Sequence, residues 1–364
     1  MKEKKKYKIK FKNLFIVGVL IILLVIILYP VTVKLLLRIK GYSKESAEII
    51  YKDKLAKTFL NKDYSKTLDL IVSNNKYDEK YLDRYIKLNY IDNELFIDNL
   101  NGLFKNDYTD EQIIKIYGEN NKILIDYVKE NKVEDIDKYI DVDIFKPERI
   151  DRYLKANLEG YKEKVKFVNM DLDKNYFEDP NIIKDYSVTM LVNKHNKLVE
   201  DYTPEVVKLT KCSSGEEFLT KEAKEAYDSL CDASIKDGVK LGVTSSYRSF
   251  ESQTSIYNYY LKNKGQTYVN NYVATPGFSE HQTGLVLDVK ATSEETFKYT
   301  KEYKWMINNS YKYGFILRYP EGKESITGYN AESWHYRYVG VEIATYIHEN
   351  DITFEEYYVQ FLDK

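Results

Sequence analysis

Residues 14–33 read LFIVGVLIILLVIILYPVTV, twenty positions without a charge, and polar residues mix regularly with apolar ones only beyond them. About 20 apolar residues in a helix cross the hydrocarbon core of a bilayer. Seven lysines precede the run, at positions 2, 4, 5, 6, 8, 10 and 12. A cleaved signal peptide would have a shorter apolar stretch and a small-residue cleavage site, and neither is present. The segment therefore reads as a single-pass signal anchor. A buried core helix is the alternative. The lysine-rich start, residues 1–13, is expected to stay cytoplasmic and the remainder to lie outside the cell. Lys34, Arg38 and Lys40 follow the span and weaken that asymmetry without reversing it.

From 41 to 164 the apolar residues recur at helical steps, as in Tyr81, Leu82, Tyr85 and Ile86, or Ile113, Ile114, Ile116 and Tyr117. Three segments align as degenerate copies: KYDEKYLDRYIKLN (76–89), DYTDEQIIKIYGEN (107–120) and IFKPERIDRYLKAN (144–157), at offsets of 31 and 37 residues. Such spacing predicts stacked helical hairpins, each burying its apolar face on the next. With neither histidine nor cysteine, this region reads as a stalk or wall-binding spacer without chemistry of its own.

The pattern changes at 165, and the remainder, 165–364, reads as one α+β domain with a small antiparallel sheet flanked by helices. VKFVNMDL (165–172), SVTMLVN (187–193), LGVTSSY (241–247), GLVLDVK (284–290) and SWHYRYVG (333–340) have the content of strands. Helices are expected from Thr220 as N-cap to Lys236, from Phe250 to about Asn263, and over about 341–349. Cys212 and Cys231 fall in this region. They are either a disulfide, permitted outside the cytoplasm, or, for Cys231, a small buried residue on a helix.

Lys and Arg number 55 against 57 Asp and Glu, which leaves no basic surplus for a nucleic-acid partner. The 36 tyrosines are spread evenly and mark no binding device. Histidine is scarce: His195, His281, His335 and His348 are all there are. Two of these lie in polar clusters of the second half. Hydrolytic zinc takes three protein ligands from His and carboxylate and keeps a fourth position open. His281, Asp288 and His335 supply that set, and Glu332 is available to take a proton from water. Asp288 interrupts an apolar strand, in which Gly284, Val286 and Asp288 share one face. A carboxylate there is costly unless it is paired or metal-bound. A salt-bridged Asp with two unrelated histidines is the competing reading. Because positions 332 and 335 of a regular strand point to opposite faces, Glu332 is expected in the preceding turn, with His335 on the strand proper.

The elements SSYRSFESQ (245–253), SEHQTGLVLD (279–288) and ESWHYRYVG (332–340) resemble, in sequence order, those of the VanY-type D-alanyl-D-alanine carboxypeptidases and related L,D-carboxypeptidases, a family of zinc metallopeptidases. LVNKHNKLVEDYTPEVV (191–207) and FILRYP (315–320) are similar to segments of the same enzymes, so the likeness covers roughly 165–345. It implies one zinc ion on His281, Asp288 and His335, Glu332 as general base, and substrate contacts from Arg248, Gln253, Ser279 and Tyr319. It also implies peptidoglycan stem peptides as substrate, with removal of a terminal D-alanine from a D,D bond preferred and L,D cleavage of tetrapeptides as the alternative. Arg248 precedes a helix with Ser249 as N-cap, so a substrate carboxylate would meet a guanidinium and a helix N-terminus together. A wall-binding scaffold with a decayed peptidase domain is a further reading, although all three ligands and the base are in place. Oligomeric state is not legible.

Overall fold

The computed structural model describes residues 11–88, 94–213, 215–291 and 296–363. The lysines at 2–10 and the closing Asn89 of the first repeat lie outside them. The chain divides into two compact units, one ending at Asp151 and one running from Arg152 to Lys364.

In the first unit, α1 (Phe11–Lys40) is the one helix among the described residues long and apolar enough to cross a membrane. Its apolar side chains are largely exposed up to Tyr29, whereas Val33 and Leu37 are buried near its end. Short helices follow, from Lys44–Lys52 to Ile136–Ile140. Polar links join successive hairpins: Arg84 donates to the Tyr108 carbonyl at 2.6 Å and to Asp110 at 2.8 Å, and Gln112 donates to Asp137 at 2.9 Å. The first and third repeat copies each carry a 3₁₀ turn leading into a helix, Glu79–Tyr81 into Leu82–Lys87 and Pro147–Arg149 into Ile150–Lys155.

The second unit begins thirteen residues ahead of the expected 165. Residues 165–172, expected as a strand, lie largely in the helix Tyr161–Asn169. Val165 and Val168 are buried at a spacing of three, and this one-sided burial overrides their β-branched preference. Arg152 ties the helix end down through Asp171 (2.7 Å) and Asp173 (2.6 Å). Residues 187–193 form no strand either. Met190, Leu191 and Val192 are buried in succession, and Asn193 Oδ1 accepts from the backbone N–H groups of His195 and Asn196, closing a tight turn.

A hairpin of β1 (Val206–Lys208) and β2 (Phe218–Thr220) precedes α2 (Lys221–Lys236), whose N-cap is Thr220. Cys212, in the hairpin loop, is disulfide-bonded to Cys231 on α2. Four antiparallel strands then make the main sheet: β3 (Leu241–Ser245), β4 (Val286–Ala291), β5 (Phe315–Tyr319) and β6 (Glu332–Tyr338), in the order β3-β4-β6-β5. Leu285, Leu287 and Val289 point to one face, where they join Val243, Tyr336 and the Tyr227 and Leu230 of α2 in the core. Full burial of one such leucine contributes on the order of 1.5–3 kcal/mol. Asp288 points to the other face. That alternation fixes the side on which the polar residues gather. Helices α3 (Phe250–Lys264), α4 (Val341–Asn350) and α5 (Phe354–Tyr357) are among the others that flank the sheet in sequence.

Candidate active site

The sheet places the first two site residues directly. Asp288 is the cross-strand partner of His335, so their side chains share a face as neighbours. Both flanks of this pair are irregular. Val243 pairs Val289 and Ser245 pairs Asp288, two steps on β3 against one on β4. Leu317 pairs Tyr336 and Tyr319 pairs Glu332, two steps on β5 against four on β6. Bulges of this kind re-aim side chains. Glu332 is therefore the first residue of β6 and not part of the preceding turn, a correction to the expectation from regular alternation. The irregular stretch turns it to the His335 side, with Oε2 3.5 Å from His335 Nδ1.

His281 arrives from a 3₁₀ segment, Glu280–Thr283, ended by Gly284 in the left-handed region at φ +67°. A Cβ on Gly284 would come within 3.0 Å of Val206, so this turn favours glycine twice over. His281, Asp288 and His335 each offer a ligating atom, and these atoms all lie within 4.8 Å of one another.

The hydrogen bonds select which atoms those are. His281 Nδ1 faces the Ser246 carbonyl at 2.7 Å and donates to it, leaving Nε2 bare and 3.5 Å from Asp288 Oδ2. His335 Nε2 is 3.3 Å from Glu280 Oε2, while its Nδ1 is 3.3 Å from Asp288 Oδ1. Asp288 Oδ1 is buried and makes no hydrogen bond of acceptable geometry among the described residues. Two imidazole nitrogens, each set against a different oxygen of one buried carboxylate, suit a small cation. Bonds of roughly 2.0–2.2 Å to zinc put tetrahedral donor atoms about 3.3–3.5 Å apart; the two His–Asp pairs stand at that spacing, each to its own carboxylate oxygen, and the three-donor set lies within 4.8 Å.

Electrostatics follow from burial and crowding. Burial, and then Arg248, lower His281 to about 3, so its ring is neutral at ordinary pH. Burial opposes charge on Asp288, but His281, His335 and Arg248 outweigh it and hold the carboxyl below its usual range. Burial likewise opposes charge on His335, yet the carboxylates of Asp288 and Glu280 push it up to about 9 in the metal-free protein. Glu332 goes the other way from Asp288. Burial, only partly offset by His335, raises its carboxyl to about 7.

A cavity of about 320 Å³ opens over these groups, and Arg248, Gln253, Ser279 and Tyr319 line it. Arg248 is braced by Ser245 Oγ and Gln253 Oε1, each accepting at 2.7 Å. Gln253 also donates to the Ala274 carbonyl at 2.6 Å, so both ends of its amide are engaged within the protein and it acts on Arg248. The buried ring of Tyr319 packs 4.8 Å from that of His335. Tyr260, Tyr272 and Trp334 add an aromatic wall. The other histidines are elsewhere: His195 packs on Tyr176, and His348 stacks on Tyr311 at 3.8 Å.

Sequence reasoning gave no role to Glu280, Arg318, Arg337 or Glu355, which form a buried ionic cluster behind His335. A signal existed, because Arg318 and Arg337 are charges at otherwise apolar strand positions.

A family model described as D-alanyl-D-alanine carboxypeptidase of the VanY type matches residues 216–341, which include Arg248, His281, Asp288, Glu332 and His335. A putative carboxypeptidase of Bacillus subtilis, YodJ, is 38% identical over 218 residues, covering 55% of this chain and 80% of its own. A D-alanyl-D-alanine carboxypeptidase of Enterococcus faecalis is 40% identical over 177 residues, covering 46% of this chain and 64% of its own. Among solved structures, that of the LdcB LD-carboxypeptidase is 40% identical, with a TM-score of 0.47 over 49% of this chain and 89% of the other.

Proposed function

Because the chain belongs to the VanY family of D-alanyl-D-alanine carboxypeptidases, we propose that its C-terminal unit hydrolyses the terminal D-alanine from peptidoglycan stem peptides, with the D,D bond of a pentapeptide as preferred substrate. The observation that carries this reading is the convergence of ligating atoms from His281, Asp288 and His335, all within 4.8 Å of one another, in the lining of one cavity. His281 Nε2, Asp288 and His335 Nδ1 would hold one zinc ion. When bound, zinc acidifies a water and polarises the scissile carbonyl.

The rest belongs to the protein. Glu332 accepts the attacking water's proton and returns it to the departing amine of D-alanine. Its buried position and raised carboxyl suit an exchange of protons near neutral pH. Arg248, with two of its donors braced, turns its remaining guanidinium donors to the substrate's terminal carboxylate, which an exopeptidase must recognise. Gln253 keeps Arg248 in place, and Tyr260, Tyr272 and Trp334 flank the stem peptide. We place α1 in the cytoplasmic membrane with its lysine-rich start inside and the peptidase outside, where peptidoglycan is found. The length and apolar surface of α1 support this.

Metal analysis tests the reading. Full-length protein in detergent should hold one zinc per chain, and chelation should abolish D-alanine release until zinc is restored. His335→Ala should lose zinc and activity together. A chain that is fully active without metal would refute it.

A further inference from the structure

His335 can serve a cation through Nδ1 only if its proton resides on Nε2, and the structure shows what keeps it there. Nε2 faces Glu280 Oε2 at 3.3 Å. The other oxygen of Glu280, Oε1, accepts from Arg318 Nε and Arg337 Nη1, both at 2.9 Å. All three side chains are wholly shielded from solvent. The arginines are fixed in turn. Arg337 donates to the carbonyls of Val188 and Met190 at 3.0 and 2.9 Å, and Arg318 forms a two-pronged pair with Glu355 at 2.6 and 2.9 Å. Glu355 lies on α5, beyond the residues matched to the family. Two glutamates and two arginines leave the cluster neutral, and its orientation follows from its hydrogen bonds.

We propose that Glu280 is a positioning residue of this site: it fixes His335 in the tautomer that bares Nδ1 toward Asp288, and the buried pair of Arg318 and Arg337 holds Glu280 in that role. This rests on the reading of His335 as a metal ligand. Carboxylates behind metal-binding histidines fix tautomer and ring orientation, and their loss commonly weakens metal affinity about 10–100-fold.

Here the arginines make the requirement for a carboxylate strict. In Glu280→Gln the two guanidiniums retain the amide oxygen, which turns the amide NH₂ toward His335. Nε2 must then accept a hydrogen bond, so the ring proton moves to Nδ1 and the lone pair facing Asp288 is lost. A neutral side chain of the same size thus inverts the histidine.

The test combines zinc affinity with a direct reading of the tautomer. Full-length protein labelled with ¹⁵N-histidine has four imidazoles, assigned by single substitutions, and chelator competition measures zinc binding. Wild-type His335 should carry its proton on Nε2, both zinc-loaded and metal-free at alkaline pH where the ring is neutral. Glu280→Gln should show the proton on Nδ1 and a roughly 10–100-fold loss of zinc affinity, with far-UV circular dichroism unchanged. Wild-type His335 protonated on Nδ1 overturns the proposal, as does a folded Glu280→Gln that binds zinc as tightly as wild type. If that variant does not fold, the wild-type tautomer decides alone. A wild-type chain with the Nε2 proton but no affinity for zinc supports the positioning role and removes the metal reading instead.

Discussion

Glu332→Gln removes a base while leaving shape and hydrogen-bonding capacity in place, and the surroundings of Glu332 set how large the effect should be. Its side chain is 13% exposed, and Oε2 lies 3.5 Å from His335 Nδ1. A positioned acid or base typically contributes about 10²–10⁴ in rate, or about 2.7–5.4 kcal/mol of barrier at roughly 1.36 kcal/mol per decade. Turnover on a pentapeptide stem should therefore fall at least about 10²-fold, with zinc content unchanged because Glu332 is outside the converging triad. A second effect runs in the opposite direction. In the metal-free protein the Glu332 carboxyl is raised from 4.5 to about 7, so above that pH its ionised form opposes folding by about 3 kcal/mol. Glutamine removes this cost, and metal-free Glu332→Gln should melt higher than metal-free wild type at pH 8. D-alanine release, zinc content and thermal melting of the full-length protein in detergent measure all three. Turnover within tenfold of wild type would refute the assignment of Glu332 as base, and loss of zinc would make it a ligand instead.

Two further outcomes follow from the buried charges. Glu355→Ala leaves Arg318 in the core without its two-pronged partner, a change that costs about 3–5 kcal/mol. Thermal unfolding should occur roughly 10 °C lower, and an unchanged melt would show that the pair contributes little. Between pH 6.5 and 8 the metal-free protein should also lose stability as pH rises, because the depressed His281 and Lys194 add stability with rising pH only below and above that window. His335 and Glu332 both have folded-state values above their unfolded ones. The contribution of Glu332 is lost between 4.5 and about 7, and that of His335 between 6.5 and about 9. Melting of chelated protein from pH 6.5 to 8 checks this, and a melting temperature that climbs across that window contradicts it.

The chemistry of this chain was easier to read than its geometry. Charged residues in apolar strands, such as Asp288 in GLVLDV, announce themselves because burial without a partner is costly. Caps were equally legible, and the helices begun by Thr220 and Ser249 start where their hydroxyls accept from the third residue on. The segment 165–172 was misread because β-branched content carries less weight than packing, and residues 187–193 because a buried apolar run does not distinguish a strand from a turn. Glu332 and His335 share a side through sheet irregularities that depend on the partner strand, which local alternation cannot report. The contacts of Glu280 join residues 38, 57 and 55 positions away. No local pattern encodes such a meeting.

The most direct test of the proposed activity is mass spectrometry of defined muropeptides incubated with the zinc-loaded, full-length protein in detergent. A pentapeptide stem should lose one terminal D-alanine and stop at the tetrapeptide, and chelator or Glu332→Gln should suppress the conversion. A tetrapeptide shortened while the pentapeptide stays intact would contradict the D,D preference. Both stems left intact by the zinc-loaded protein would contradict the carboxypeptidase activity assigned to it.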